Sequence, residues 1–410
     1  MKIAFIVPYV PNQIRTRSYN LISSLTSLGH EVNVFTVGSS QTDLLDAEAL
    51  KAKCNSVYYQ HMPIWQSLTN SILAVLSSQP LQTVYSWQPK LVAQLTALIN
   101  GNGAHSAYDV IHVEHLRGSR YGVFLKSSFP AVPIVWDSVD CISHLFQQAA
   151  NQSQSFFGKF VTRFELPRTK KAEGNLICLF DHVLVTSPSD RNALLGLSPA
   201  GKRLAEISVL PNGVDLEYFH PNVDIQRETE TIVFSGKMSY HANISMAKYL
   251  AAEIMPRIWK RRPNTRLYIV GKDPSPDIKG LENNPLITVT GTVDDIRPFL
   301  WRATVAVVPL LYGTGIQNKI LEAMATGTPV VTTFNALTAL QVQVGTELFA
   351  VNDAEEFSQA VLRVLEDRSL QSKIGNAGAS YVRNHHDWMA IASQLVEIYQ
   401  DTLGPKAASF

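Results

Sequence analysis

The chain has 410 residues, too many for one ordinary hydrophobic core and about right for two domains. Its 46% hydrophobic and 17% charged residues, with 22 Gly and 21 Pro, are a globular composition and exclude disordered, collagen-like and disulfide-scaffold classes. A formal charge of +1 supplies no basic field, so nucleic acid is excluded as a partner.

The first eight residues hold one charge and a short apolar run broken by Pro8, far from a secretory signal. No stretch reaches about 18 uninterrupted apolar residues, so no membrane-spanning helix is expected. The three cysteines, Cys54, Cys141 and Cys178, lie far apart without metal-ligand spacing, which fits a reducing compartment and gives no metal site. The expectation is a soluble cytoplasmic protein, with peripheral attachment at the inner face of the membrane left open.

Along the chain, short β-rich apolar runs occur at 2–7, 31–37, 108–113, 133–137, 182–186 and 207–210, with helix-patterned stretches between them. A second series follows at 231–235, 266–270, 287–290, 305–309 and 329–333. Two βα series predict two doubly wound domains with parallel sheets covered on both faces. Residues 209–221, where a strand ends at Pro211-Asn212-Gly213, mark the boundary. A last helix at about 387–403 repeats Ile391, Leu395, Ile398 and Leu403 at helical spacing beyond the second series, placed to cross back onto the first domain. The expected domains are therefore 1–215, 216–385 and a returning segment, 386–410.

Two stretches depart from this scheme. Residues 47–97 mix helical patterns with Pro80 and an aromatic-polar loop, read as the rim of a cleft. Residues 152–175 interleave Phe156, Phe157, Phe160 and Phe164 with Lys159, Arg163, Arg168, Lys170 and Lys171. A basic amphipathic helix on an anionic membrane is one reading, and a core helix with a solvated basic edge is the simpler one.

After the first strand there is no GxGxxG, and the chain holds no GxxxxGK[ST] loop and no GxSxG elbow. The dinucleotide-dehydrogenase, P-loop kinase and α/β-hydrolase readings fall with them. At 231–243 a strand, Gly236, Lys237 and a helix start with Asn243 as a candidate N-cap form a turn whose N–H groups can hold an anion. At 307–331 a buried strand, a glycine-containing loop and a helix ended by Gly327 place Lys319 and Glu322 three apart on one helix face. A cation for a pyrophosphate and a carboxylate for two ribose hydroxyls suit a nucleoside diphosphate, while an ordinary surface ion pair explains the spacing equally simply. Asp137, Asp140 and His115 stand at strand carboxyl ends, where ligand sites of such sheets gather. A carboxylate there could take a proton from an acceptor or stabilise positive charge on a sugar ring. Asp140 reads as well as a helix cap, and His115 as a structural histidine.

The order of 209–221, 236–243, Val270-Gly271-Lys272, Val289-Thr290-Gly291 and 315–331 resembles the family 4 retaining glycosyltransferases of GT-B fold. Among them the chain is most similar to bacterial sugar transferases associated with exopolysaccharide clusters. The resemblance covers essentially the whole chain and implies an α/β, GT-B architecture, two Rossmann-like domains facing a central cleft. It further implies a nucleotide-sugar donor on the second domain, a hydroxyl acceptor on the first, metal-free transfer with retention and no cofactor, a UDP-sugar being favoured over a GDP-sugar. A lipid-linked acceptor at a membrane is among the partners it admits.

Carried over by position, Glu322 would bind the ribose, and Lys319, with Gly315 and Ile316, the pyrophosphate and sugar. Gln317 and Asn318 complete that helix start, Gly236 and Lys237 meet the phosphates, and Val293 meets the base. Thr314 stands where the family places a first glutamate, which leaves the sugar unassigned. The family's glycine-rich first loop is replaced by 13–17, so Arg15 or Arg17 would serve the acceptor. Asp137 stands where many relatives carry a catalytic histidine. The expected catalytic residues are Asp137, Lys319 and Glu322, and the acceptor residues Arg15, Arg17, His115 and Asp140. Two other readings remain: a nucleotide-sugar epimerase of similar fold, and a catalytically silent sugar-nucleotide binding protein, for which Thr314 is the hint.

Overall fold

The computed structural model describes residues 1–75, 77–100, 107–152, 156–312 and 317–404. The chain divides into two compact units, Met1–Pro211 joined by Trp388–Phe410, and Asn212–Asp387. The breaks fall a few residues from the boundaries read on the sequence.

The first unit is built on a seven-stranded sheet: β1 (Lys2–Val7), β2 (Glu31–Gly38), β3 (Ser56–His61), β4 (Val110–Glu114), β5 (Ile134–Val139), β6 (His182–Val185) and β7 (Glu206–Val209). All pairings are parallel, in the order β3-β2-β1-β4-β5-β6-β7, so the winding reverses between β1 and β4. Strand β1 shows why the sequence folds this way. It is buried on both faces and reads as an unbroken apolar run. Alternation of side chains then sends Ile3, Phe5 and Val7 to one core and Ala4 and Ile6 to the other.

The first of these cores is covered by the helices Thr16–Ser27 and Trp388–Leu403, which bring Leu21, Ile22 and Leu25, and Trp388, Ile391, Leu395 and Tyr399. Burial of each large aliphatic side chain contributes roughly 1.5–3 kcal/mol, enough to hold the returning helix on the first unit. The other face packs Leu91, Leu95, Ile99, Tyr121 and Trp136.

The second unit carries β8 (Thr231–Ser235), β9 (Arg266–Val270), β10 (Ile287–Gly291), β11 (Val305–Val308), β12 (Val330–Thr333) and β13 (Phe349–Val351). They are parallel in the order β10-β9-β8-β11-β12-β13, with the reversal between β8 and β11. Below this sheet the Arg227 guanidinium donates to the carbonyls of Leu300, Trp301, Ala303 and Thr326 and to Thr328 Oγ1. It thus satisfies the carbonyls that two helices leave open at their carboxyl ends.

Strands β3 and β13 lay outside the sequence-based expectation. Both are edge strands; β3 is half-buried along most of its length and β13 has three residues, so neither shows a sustained apolar run. Of the 152–175 stretch, residues 156–175 lie in the helix Phe156–Leu179, whose Glu165, Thr169, Glu173 and Ile177 are buried at helical spacing while Arg163 and Lys171 are exposed. From Arg163 onward it packs one face into the core and keeps a solvated basic edge, while the side chains of Phe156, Phe157, Lys159 and Phe160 lie outside the described residues.

Candidate functional site

In the second unit the reversal point opens a pocket of about 260 Å³ lined by Ser235, Gly236, Lys237, Asn243, Ile296, Gln317, Asn318, Lys319 and Glu322. Two glycines shape it. Gly236 has φ +151° and Gly271 φ +146°, and a Cβ on Gly271 would collide with the Gly236 carbonyl. A Cβ on Gly236 would stand 2.7 Å from Asn243 Nδ2. The ends of β8 and β9 therefore approach as closely as backbone allows.

The helix Asn318–Ala325 buries Ile320, Leu321, Ala323 and Met324 in the core, which leaves Lys319 and Glu322 directed to the pocket. Gly327, at φ +71°, follows that helix and turns the chain toward β12. Lys319 Nζ donates to Asn243 Oδ1 at 2.7 Å, and Asn243 Nδ2 donates to the Lys237 carbonyl at 2.9 Å. Burial lowers the Lys319 ammonium to about 8, against the opposing pull of Glu322. Burial raises the Glu322 carboxyl to about 7, partly offset by Lys319. The pocket thus holds one cation and one carboxylate, both poised to change charge near neutrality.

The structure brings Gly236, Lys237, Gln317, Asn318, Lys319 and Glu322 together as the sequence suggested. Thr314, Gly315 and Ile316 lie outside the described residues. From the loop after β10 it is Ile296 that lines the pocket, while Val293 packs against the core. Lys237 sits at the rim, its 3.8 Å contact to Asp273 exposed on both sides and energetically slight. Asn243 is not the helix cap; Tyr240 occupies that position, and the Asn243 amide instead bridges Lys319 to the β8 turn.

In the first unit, the strand ends next to the reversal form a buried polar network. Asp137 is opposite Glu114 in the β4–β5 register and is fully buried. Arg17 Nε and Nη2 both reach Asp137 Oδ2 at 2.8 Å, and Arg17 Nη1 donates to the Pro211 carbonyl at 3.2 Å. His112 stacks on Phe5 at 4.0 Å, lies 3.8 Å from Asp137 Oδ2 and shares a 2.8 Å hydrogen bond with Tyr399 of the returning helix. Burial lowers His112 to about 4 despite Asp137, so it stays neutral. Tyr9 donates its hydroxyl to Glu114. Burial, and then the Asp137 charge, push Glu114 up to about 7.

Two backbone outliers flank this network. His115 has φ +62° and Val139 φ +67°, just past β4 and at the end of β5. A β-branched residue in that region is strained, and such strain gathers at functional sites. Burial lowers the His115 ring to about 4.

Several expectations change here. Asp137 is no open carboxylate, because it is buried and ion-paired. Arg17 is engaged in that pair and cannot also reach out to an acceptor. Asp140 caps no helix: the amides of Ile142 and Ser143 donate to Glu173 and that of Cys141 to Asp190. Asp140 instead accepts a 3.3 Å hydrogen bond from Thr186 Oγ1, and burial together with Asp190 raises it to about 6. Arg15 remains partly exposed, with its guanidinium 5.0 Å over the Tyr9 ring. Tyr9, His112 and Tyr399 had no signal in the sequence beyond their residue types, since the hydrogen bonds Tyr9–Glu114 and Tyr399–His112 span 105 and 287 positions.

The description "Glycosyltransferase Family 4" matches residues 14–218, and "Glycosyl transferases group 1" matches 229–367. The chain belongs to glycosyltransferase family 4. A phosphatidyl-myo-inositol mannosyltransferase of Mycobacterium tuberculosis is 28% identical over 212 residues, 48% of this chain and 55% of that relative. The chain thus spans about half the length of that curated relative. An MMP alpha-(1->4)-mannosyltransferase of Mycolicibacterium hassiacum is 23% identical over 95% of this chain and 94% of its own. Among solved structures, Anabaena HepE in complex with UDP is similar with a TM-score of 0.66 at 15% identity, covering 97% of this family 4 chain and 99% of that one. The likeness shows the GT-B fold, built from two parallel-sheet Rossmann-like domains.

Proposed function

We propose that the protein is a retaining glycosyltransferase that moves a hexosyl unit from a nucleoside-diphosphate sugar to an acceptor hydroxyl. The observation that carries this reading is the second-unit pocket, where Lys319, held by Asn243, and Glu322 face one cavity beside the Gly236 turn. The family supports it, since two family descriptions together account for most of the chain. UDP is placed ahead of GDP as the donor base; the similar Anabaena protein was solved with UDP.

In this proposal Glu322 accepts hydrogen bonds from the ribose hydroxyls, and Lys319, Lys237 and the helix N–H groups take the diphosphate. The bond between the anomeric carbon and the diphosphate oxygen breaks, and the acceptor oxygen forms the new bond to that carbon. The acceptor proton passes to a phosphate oxygen of the leaving group. Cation and dipole stabilisation of the departing charge in a recessed pocket carries the catalysis, and the reaction needs no metal. The first unit takes the acceptor, with Arg15 the partly exposed cation in the loop after β1 and the Arg17–Asp137 pair fixing the electrostatics of the strand ends. The setting proposed for it is reducing and cytoplasmic, and the proposed pathway class is polysaccharide assembly.

A thermal-shift screen against UDP, GDP, ADP and their sugar conjugates tests the donor. One nucleotide series should raise the melting temperature by mass action, and Glu322→Ala should abolish the rise. A rise that survives Glu322→Ala would refute the ribose assignment.

A further inference from the structure

The helix Ile64–Val75 is folded inside out. Ser67 and Ala74 are buried, Asn70 donates to the Trp87 carbonyl and Gln66 pairs with Gln88, so its polar side faces the protein. Its apolar side, Ile64, Trp65, Leu68, Ile72, Leu73 and Val75, is between 46% and 68% exposed. A surface helix normally shows the reverse arrangement, and a contiguous apolar face of this kind marks an interaction site.

We infer that this face is a membrane-docking surface that lays the first unit on an anionic lipid bilayer. Three features select that occupant. The helix carries no charged side chain, so nothing in it must be desolvated on entering the acyl boundary. Trp65 stands in its first turn, the amphipathic ring favoured at headgroup level. A cation adjoins its other end: Arg168 donates to the Val75 carbonyl from the helix Phe156–Leu179, which also carries the exposed Arg163 and Lys171. Apolar insertion combined with adjoining cations is the pairing that binds anionic bilayers. A second copy of the chain fits poorly. Twelve residues make a helix about 18 Å long, whose single convex face falls well short of the roughly 800 Å² per partner that a stable interface buries. A bilayer needs no complementary groove.

The test is sedimentation of the full chain with sucrose-loaded vesicles of phosphatidylglycerol and phosphatidylcholine, against pure phosphatidylcholine. The protein should bind the anionic vesicles, and added salt should weaken that binding. Leu68→Ser with Ile72→Ser should reduce it at least about tenfold, with circular dichroism and nucleotide-induced thermal shifts unchanged. Arg163→Glu with Lys171→Glu should remove the preference for phosphatidylglycerol. No binding to the anionic vesicles, or equal binding by the Leu68→Ser/Ile72→Ser protein, overturns the inference. So does a dimer, seen by light scattering, that this double substitution dissociates, because the occupant would then be a second copy. The vesicle-binding and light-scattering readouts depend neither on the donor pocket nor on transfer activity.

Discussion

Nucleotide affinity should follow a bell-shaped pH profile set by two groups in the second-unit pocket. Glu322 must be ionised to accept from ribose hydroxyls, and burial has raised it to about 7. Lys319 must be protonated to meet a diphosphate, and burial has lowered it to about 8. Affinity therefore rises as pH climbs through 7 and falls as pH climbs through 8. The fraction with both groups in the binding state is about 0.6 at pH 7.5 and about 0.09 at both pH 6 and pH 9. UDP should accordingly bind roughly sixfold more weakly at pH 9 and at least about sixfold more weakly at pH 6. Isothermal titration calorimetry measures this directly. In buffers of different ionisation enthalpy it should also show proton uptake near pH 8, as the bound diphosphate restores the ammonium. The terminal phosphate of the nucleotide itself titrates near 6. In Glu322→Gln the acid limb should therefore move down by about one pH unit, and the basic limb should also move down, because Lys319 loses the carboxylate that holds its ammonium up. Affinity that is flat from pH 6 to 9, or an acid limb that stays at 7 in Glu322→Gln, refutes the assignment of both groups.

Three further outcomes follow from the packing. Arg17→Met should cost about 3–5 kcal/mol in urea unfolding of the first unit, because Asp137 is left buried without its ion-pair partner. Arg17→Met combined with Asp137→Leu should recover most of that loss, and simple additivity of the two would contradict the pairing. Tyr399→Phe should cost about 1–3 kcal/mol by taking the hydroxyl from His112, and an unchanged melting temperature would show that the bond is idle. Gly271→Ala should abolish UDP binding, since a methyl there displaces the Gly236 carbonyl; near-normal calorimetry would mean that the turn can shift freely.

What could be read from the chain alone was local. Strand β1 announces itself because burial on both faces demands an unbroken apolar run. Lys319 and Glu322 could be paired on paper because helical spacing puts residues three apart on one face. Asn243 was misread for the complementary reason: an amide near a helix start has a local role as a cap, and its actual partner is 76 positions away. The Arg17–Asp137 pair spans 120 positions and follows from sheet order, which no local pattern encodes. Edge strand β13 is set by pairing to β12, and its three residues are too few to show a period.

The returning helix Trp388–Leu403 imposes an order on biogenesis. The second unit is one continuous stretch and is complete once Asp387 has emerged from the ribosome. The first unit begins earlier and finishes later. His112 waits for Tyr399 across 287 positions, roughly 15–60 s at elongation rates of about 5–20 residues per second. Throughout that interval the face of Leu21, Ile22 and Leu25 has no lid, so the half translated first is the half that keeps apolar surface uncovered longest.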